Sequence, residues 1–176
     1  DCLSNKLPSM LKDGDALSVL WFSGRGEFGV LVEGAKVETL RDLEKTKQLL
    51  QRWLRPIGLT GFKEPLHEVR SVYERVVSKN APGMSHSLFF MSDGCHNQRG
   101  TRADILKAVE KVAGVVSTAT IVEYGYYADR PLLTAMAEKS GGTLIFADNF
   151  DKYMPTFEAA MQKRPLGGGK RVEVAV

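Results

Sequence analysis

The chain's most pointed chemistry lies where an apolar run, Leu88-Phe89-Phe90-Met91, passes directly into Ser92-Asp93-Gly94-Cys95. A carboxylate placed where a buried strand ends is held rigidly at the rim of a sheet. Upstream, Ile57-Gly58-Leu59-Thr60-Gly61 sets a hydroxyl in a glycine-flanked loop just before an amphipathic stretch from Lys63 to Ser78. Thr60 and Asp93 are both hard oxygen donors. A divalent cation such as magnesium prefers near-octahedral oxygen ligation and keeps several waters, so a hydroxyl, a carboxylate and solvent suit it. Each residue also has a plainer reading, because Ser-Asp-Gly is common turn composition. What raises the pair above that reading is their joint occurrence, each before a helix-forming stretch.

Other constellations carry less. Cys95 and His96 are adjacent, but a nucleophile and its base need hydrogen-bond reach and a third orienting group, which adjacency does not supply. His67 and His86 are too scattered for a zinc pattern. Gly24-Arg25-Gly26-Glu27-Phe28-Gly29 satisfies a dinucleotide-binding spacing, yet the residues after it, Val30 to Gly34, are strand-like rather than helical, so it reads as a hairpin turn. Gly167-Gly168-Gly169-Lys170 lacks both the first glycine and the following hydroxyl of a phosphate loop, and reads as a linker.

The elements that must position Thr60 and Asp93 follow from periodicity. Leu3, Leu7, Met10 and Leu11 recur at helical spacing up to Gly14. Ala16 to Ser23 and Gly29 to Glu33 read as an antiparallel hairpin. Leu40, Leu43, Leu50, Trp53 and Leu54 line a helix that must end before Pro56. A helix from Lys63 buries Leu66, Val69, Val72, Tyr73 and Val76, and the chain turns at Asn80-Ala81-Pro82-Gly83 into the strand that precedes Asp93. Thr101 caps the next helix with Asp104 three residues on, and Ile105, Leu106, Val109 and Val112 face inward. Ser117 to Tyr124 is a strand. Asp129 caps a helix with Pro131 in its first turn and Gly141-Gly142 at its stop. Thr143 to Ala147 is a strand, 148–161 a last helix, and Arg171 to Val176 a strand-like alternation. Strands alternating with helices imply an α/β, doubly wound, mostly parallel sheet covered on both faces, with ligands bound beyond the strands' carboxyl ends.

On these motifs the chain resembles the von Willebrand factor A (VWA) domain family, whose metal-ion-dependent adhesion site uses Asp-x-Ser-x-Ser, then Thr, then Asp. Thr60 and Asp93 match the second and third elements. Leu132-Leu133 through Ala137-Glu138 to Gly141-Gly142 is similar to the family's late helix. Asp1-Cys2-Leu3-Ser4-Asn5 has Leu and Asn where the family has serines, so the sequence reads as starting inside the first helix, with the family's central first strand absent. The resemblance implies a protein-interaction module rather than an enzyme, with magnesium at Thr60 and Asp93 and an acidic side chain of a partner protein completing the shell. It divides the chain into a VWA-like domain over 1–163 and a glycine linker with a strand over 164–176, leading to or pairing with another segment of a larger chain or complex. The alternatives are a metal-free VWA scaffold and a metal-assisted phosphohydrolase, which would need a second carboxylate near a strand end.

Composition agrees with one globular domain: 176 residues, 43% hydrophobic and 26% charged, bury a substantial core. The net charge of +3 is no nucleic-acid footprint. Lys163, Arg164, Lys170 and Arg171 flank the glycines as solvated decoration. Cys2 and Cys95 allow at most one internal disulfide, and so few cysteines lean toward a cytoplasmic setting. No apolar run reaches the roughly 20 residues of a membrane-spanning helix.

Overall fold

Among the described residues, three helices and six strands follow the hydrophobic periods of the sequence. The computed structural model describes residues 11, 14–24, 27–36, 48, 59–77, 85–98, 100–148, 155, 157–159 and 170–175. Along the chain these are β1 (Ala16–Phe22), β2 (Phe28–Lys36), α1 (Lys63–Val77), β3 (Ser85–Ser92), α2 (Arg102–Ala113), β4 (Thr118–Tyr124), α3 (Arg130–Ser140), β5 (Thr143–Ala147) and β6 (Lys170–Ala175). Of the expected segments, the first helix apart from Leu11, the stretch 40–54 apart from Gln48, the turn at 80–83 and most of 148–169 lie outside the described residues.

One sheet runs in the order β2-β1-β6-β3-β4-β5. Every neighbouring pair is parallel except β1 with β2, which forms the expected antiparallel hairpin at one edge. β2 is longer than its apolar run suggests, because irregularities in its register let it follow β1 to Lys36. At one of them Gly34 takes φ +59, where a side chain would strike Val76, and its N–H donates to the buried Ser18 hydroxyl at 3.0 Å.

The place between β1 and β3, which the resemblance assigns to a strand preceding Asp1, is filled from the other end of the sequence by β6. Its register pairs Ala16 with Arg171 and Leu20 with Ala175 on one side, and Ser85 with Lys170 and Phe90 with Ala175 on the other. The alternating 170–175 segment therefore completes this sheet.

Both sheet faces are buried, as a doubly wound fold requires. Leu20, Leu88, Phe90, Ala119 and Ile121 pack with Leu66, Val69 and Val72 of α1, Ile105, Val109 and Val112 of α2, and Leu133 and Met136 of α3. On the opposite face Leu17, Val19 and Val122 are buried, and Phe89 meets Phe157 with ring centres 5.0 Å apart. The helix ends match the sequence signals. Thr101 Oγ1 accepts from the Asp104 N–H while Asp104 Oδ2 accepts from the Thr101 N–H, and Asp129 accepts from Leu132 N–H at 3.0 Å. Gly141 closes α3 at φ 63, a left-handed conformation natural to glycine. The hydrogen bonds from Thr101, its backbone N–H first, hold the Asp104 carboxyl below the usual aspartate range.

Candidate functional site

Because β3 and β4 run parallel with β1 and β6, the loops that leave them collect at one carboxyl edge, where α1, α2 and α3 all begin. Beneath this edge lies an aromatic trio. Phe22, Phe62 and Phe90 meet at centroid separations of 5.1–5.9 Å: Phe22 and Phe90 stack, and Phe62 stands edge-on to both. Phe22 precedes Ser23, Phe62 follows Thr60 by two positions, and Phe90 precedes Ser92 by two. The trio thus fixes the roots of three loops by burial and ring packing.

The Thr60 loop is fastened on both sides. Gly61 N–H donates to Ser23 O at 3.0 Å, and the Ser23 hydroxyl donates to Leu59 O at 3.3 Å. On the other side Thr60 N–H donates to Asn97 Oδ1 at 2.9 Å, and Asn97 N–H returns a bond to Thr60 O at 3.1 Å. Two glycines permit this closeness. A Cβ on Gly24 would overlap the Leu59 side chain, and one on Gly94 would lie 2.6 Å from Thr60 Oγ1. The Thr60 hydroxyl is therefore pressed against the residue immediately after Asp93. Leu59 to Phe62 are irregular, and the residues that lead into them lie outside the described ones. The bonds to Ser23 and Asn97 hold Thr60 at the rim.

Asp93 itself is exposed, and its carboxylate has no hydrogen bond or ion pair among the described residues. Gly94 N–H donates to Ser92 Oγ at 3.3 Å, shaping the turn that presents it. Thr60 and Asp93 thus lie on adjoining loops of one edge, with the Thr60 hydroxyl against Gly94 and Asp93 exposed, a hydroxyl and a carboxylate of the kind a hard cation takes. No group of three or more His, Cys, Asp or Glu able to hold a metal occurs among the described residues. Asp1 to Asn5 lie outside them.

The neighbours of Asp93 turn apart. Cys95 Sγ lies 3.0 Å from Tyr127 O, as donor, whereas His96 Nε2 lies 3.1 Å from Gly100 O. The His96 ring rests tilted on Phe62 at 5.6 Å, and its Nδ1 is buried without a partner. His67 is exposed on α1, and the buried His86 packs against Tyr73 at 4.5 Å. Between β1 and β2, Ser23 N–H donates to Glu27 O at 2.8 Å and Glu27 N–H to Gly24 O at 3.1 Å, and Glu27 leads into β2 and not into a helix.

Sequence reasoning overlooked Ser23, Asn97 and the pair Tyr126-Tyr127. An asparagine four residues after Asp93 in a non-periodic loop is a readable signal, since Asn side chains readily bond nearby backbone. Two tyrosines after a strand-ending glycine are another. Farther along the edge, Glu123 is almost fully buried and receives Arg130 Nε at 2.7 Å, while the Arg130 guanidinium sits 4.8 Å from the centre of the Phe146 ring.

No protein-family model matches the sequence, and no curated protein matches it either. Among solved structures the chain is similar to a von Willebrand factor type A protein from Catenulispora acidiphila, with TM-score 0.72 and 18% identity over 92% of this chain. The match spans 35% of that protein's length. The strand order, the edge hairpin and this structural likeness agree: the chain has a von Willebrand factor A-like, doubly wound α/β fold.

Proposed function

We propose that this chain is a protein-interaction module whose carboxyl edge binds an acidic side chain of a partner protein with magnesium between them. The observation that supports the reading is the Thr60 hydroxyl packed against Gly94, the residue after the exposed Asp93, on a loop whose backbone is fastened to Ser23 and Asn97. Thr60 and Asp93 would hold the cation. When bound, it supplies a positive charge left incompletely neutralised by one protein carboxylate, and that charge attracts a second carboxylate from outside. Binding, not catalysis, is the favoured reading, because Cys95 and His96 are directed to separate carbonyls.

The test is magnesium linkage. A ligand that binds only the native state stabilises it by RT ln(1 + [L]/Kd), roughly 2.7 kcal/mol at a hundredfold excess over Kd. Thermal melts in magnesium and in chelator should differ for the wild-type chain and coincide for Asp93→Ala, whose solvated position leaves the fold intact. A wild-type melt indifferent to magnesium, or an Asp93→Ala variant that still responds, would favour a metal-free scaffold.

A further inference from the structure

Every large apolar side chain that is exposed among the described residues lies at one end of the molecule. These are Phe28, Leu59, Tyr126, Tyr127 and Phe146. Phe28 pairs with Phe22 at the carboxyl end of β1. Leu59 adjoins Thr60 and touches Ser23 through its carbonyl. Tyr126 and Tyr127 follow β4, and Phe146 pairs with Glu123 near the end of β5. Among the described residues, the amino edge carries none of them. Scattered single apolar residues on a surface are ordinary, but a set confined to the edge that also carries Asp93 is a mark of an interface.

The five side chains fall on two sides of the Thr60–Asp93 pair. Phe28 and Leu59 stand on the β1 side. Tyr126, Tyr127 and Phe146 stand on the β4–β5 side, with Tyr126 and Phe146 in contact at 5.4 Å and the Tyr126 hydroxyl 3.4 Å from Asp148 Oδ2. Tyr127 is 87% exposed, and its backbone carbonyl is bonded by Cys95. Tyrosine has only two χ angles to fix when a partner covers it, one reason it is enriched among binding hot spots. Between the two apolar sides stand charges of both signs, the exposed Asp93 carboxylate and Asp104 among two cations. Lys63 and Arg102 open α1 and α2 at this edge, and neither forms an ion pair with a carboxylate among the described residues; Arg102 donates to Pro131 O at 2.6 Å. The positive ends of three helix dipoles add to them.

From this arrangement we infer that the partner segment is an acidic residue flanked on both sides by apolar side chains, the acid read at the centre and the flanks by Leu59 and Phe28 on one side and Tyr126 and Tyr127 on the other. This rests on the carboxylate-binding reading above and adds to it the chemistry of the residues around the acid.

The probes are fluorescein-labelled peptides with one central aspartate, flanked either by leucine and phenylalanine or by serine, titrated with the whole chain in magnesium and followed by anisotropy. The apolar-flanked peptide should bind roughly tenfold or more tighter, the scale of one or two buried anchors. Tyr127→Ser and Leu59→Ser, both at exposed positions, should each shed much of that preference while leaving the serine-flanked peptide unaffected. Equal, magnesium-dependent binding of the two peptides overturns the apolar flanks and leaves the metal reading standing. A preference that persists in chelator and in Asp93→Ala upholds the flanks and removes the metal. Failure of both peptides to bind, or indifference to both substitutions, overturns the inference.

Discussion

Phe62 offers the sharpest test of how the edge is held. Its ring is fully buried and meets Phe22, Phe90 and His96 at 5.9, 5.3 and 5.6 Å. Truncating a buried phenylalanine costs about 3–5 kcal/mol, and losing three ring contacts puts Phe62→Ala at the upper end, about 4–5 kcal/mol. For a domain of this size that corresponds to a fall in Tm of roughly 8–20 °C. Urea unfolding should show a lower midpoint with an unchanged m-value. The same side chain roots the Thr60 loop, so hydrogen exchange at the Thr60 and Asn97 amides should accelerate beyond the fall in global stability. Phe89→Ala is the control, because that ring faces Phe157 on the opposite side of the sheet. It should cost comparable global stability and leave those two amides no looser than the rest. A cost below about 1 kcal/mol for Phe62→Ala, or equal loosening by Phe89→Ala, would refute the idea that the trio sets the loops.

Two further outcomes follow from the backbone and the caps. Val174 pairs with Val19 on one side and Phe89 on the other, so Val174→Pro should abolish cooperative unfolding, whereas Leu31→Pro, at a register irregularity of the edge strand, should keep it; circular dichroism in urea separates the two. Thr101→Ala should cost about 1 kcal/mol of stability by removing the α2 cap. The Asp104 carboxyl is held low in the folded state, so its contribution is present above its unfolded pKa and lost as pH falls through the folded one; an NMR titration of Asp104 in Thr101→Ala should move up only partly, because the Thr101 backbone N–H bond survives.

What the sequence made legible is local. The Thr101–Asp104 box, the Asp129 cap, the Gly141 stop and the β1–β2 hairpin depend on residues a few positions apart, and each forms as its spacing implies. Asp93 was legible because an apolar strand announces its own end. Less legible was how Thr60 reaches it: the bonds to Ser23 and Asn97 join positions nearly forty residues apart, and nothing in a one-dimensional period records such a meeting. β6 was readable as a strand, yet its neighbours were not, since alternation tells which residues share a face and says nothing of which strands lie alongside.

The central position of β6 has a consequence for how the protein is made. β1 meets β6 at Ala16 and Arg171, about 150 positions apart, a contact of very high sequence separation that slows folding. At roughly 5–20 residues per second a ribosome takes on the order of ten seconds or more to cover that distance. Until then the β1–β2 hairpin and the β3–β4–β5 group wait with the inner edges of β1 and β3 unpaired, two strand borders open to any passing chain. The nascent protein is therefore most exposed to mispairing just before β6 arrives, and when that strand slots in, it joins both halves of the sheet and assembles the carboxyl edge in the same step.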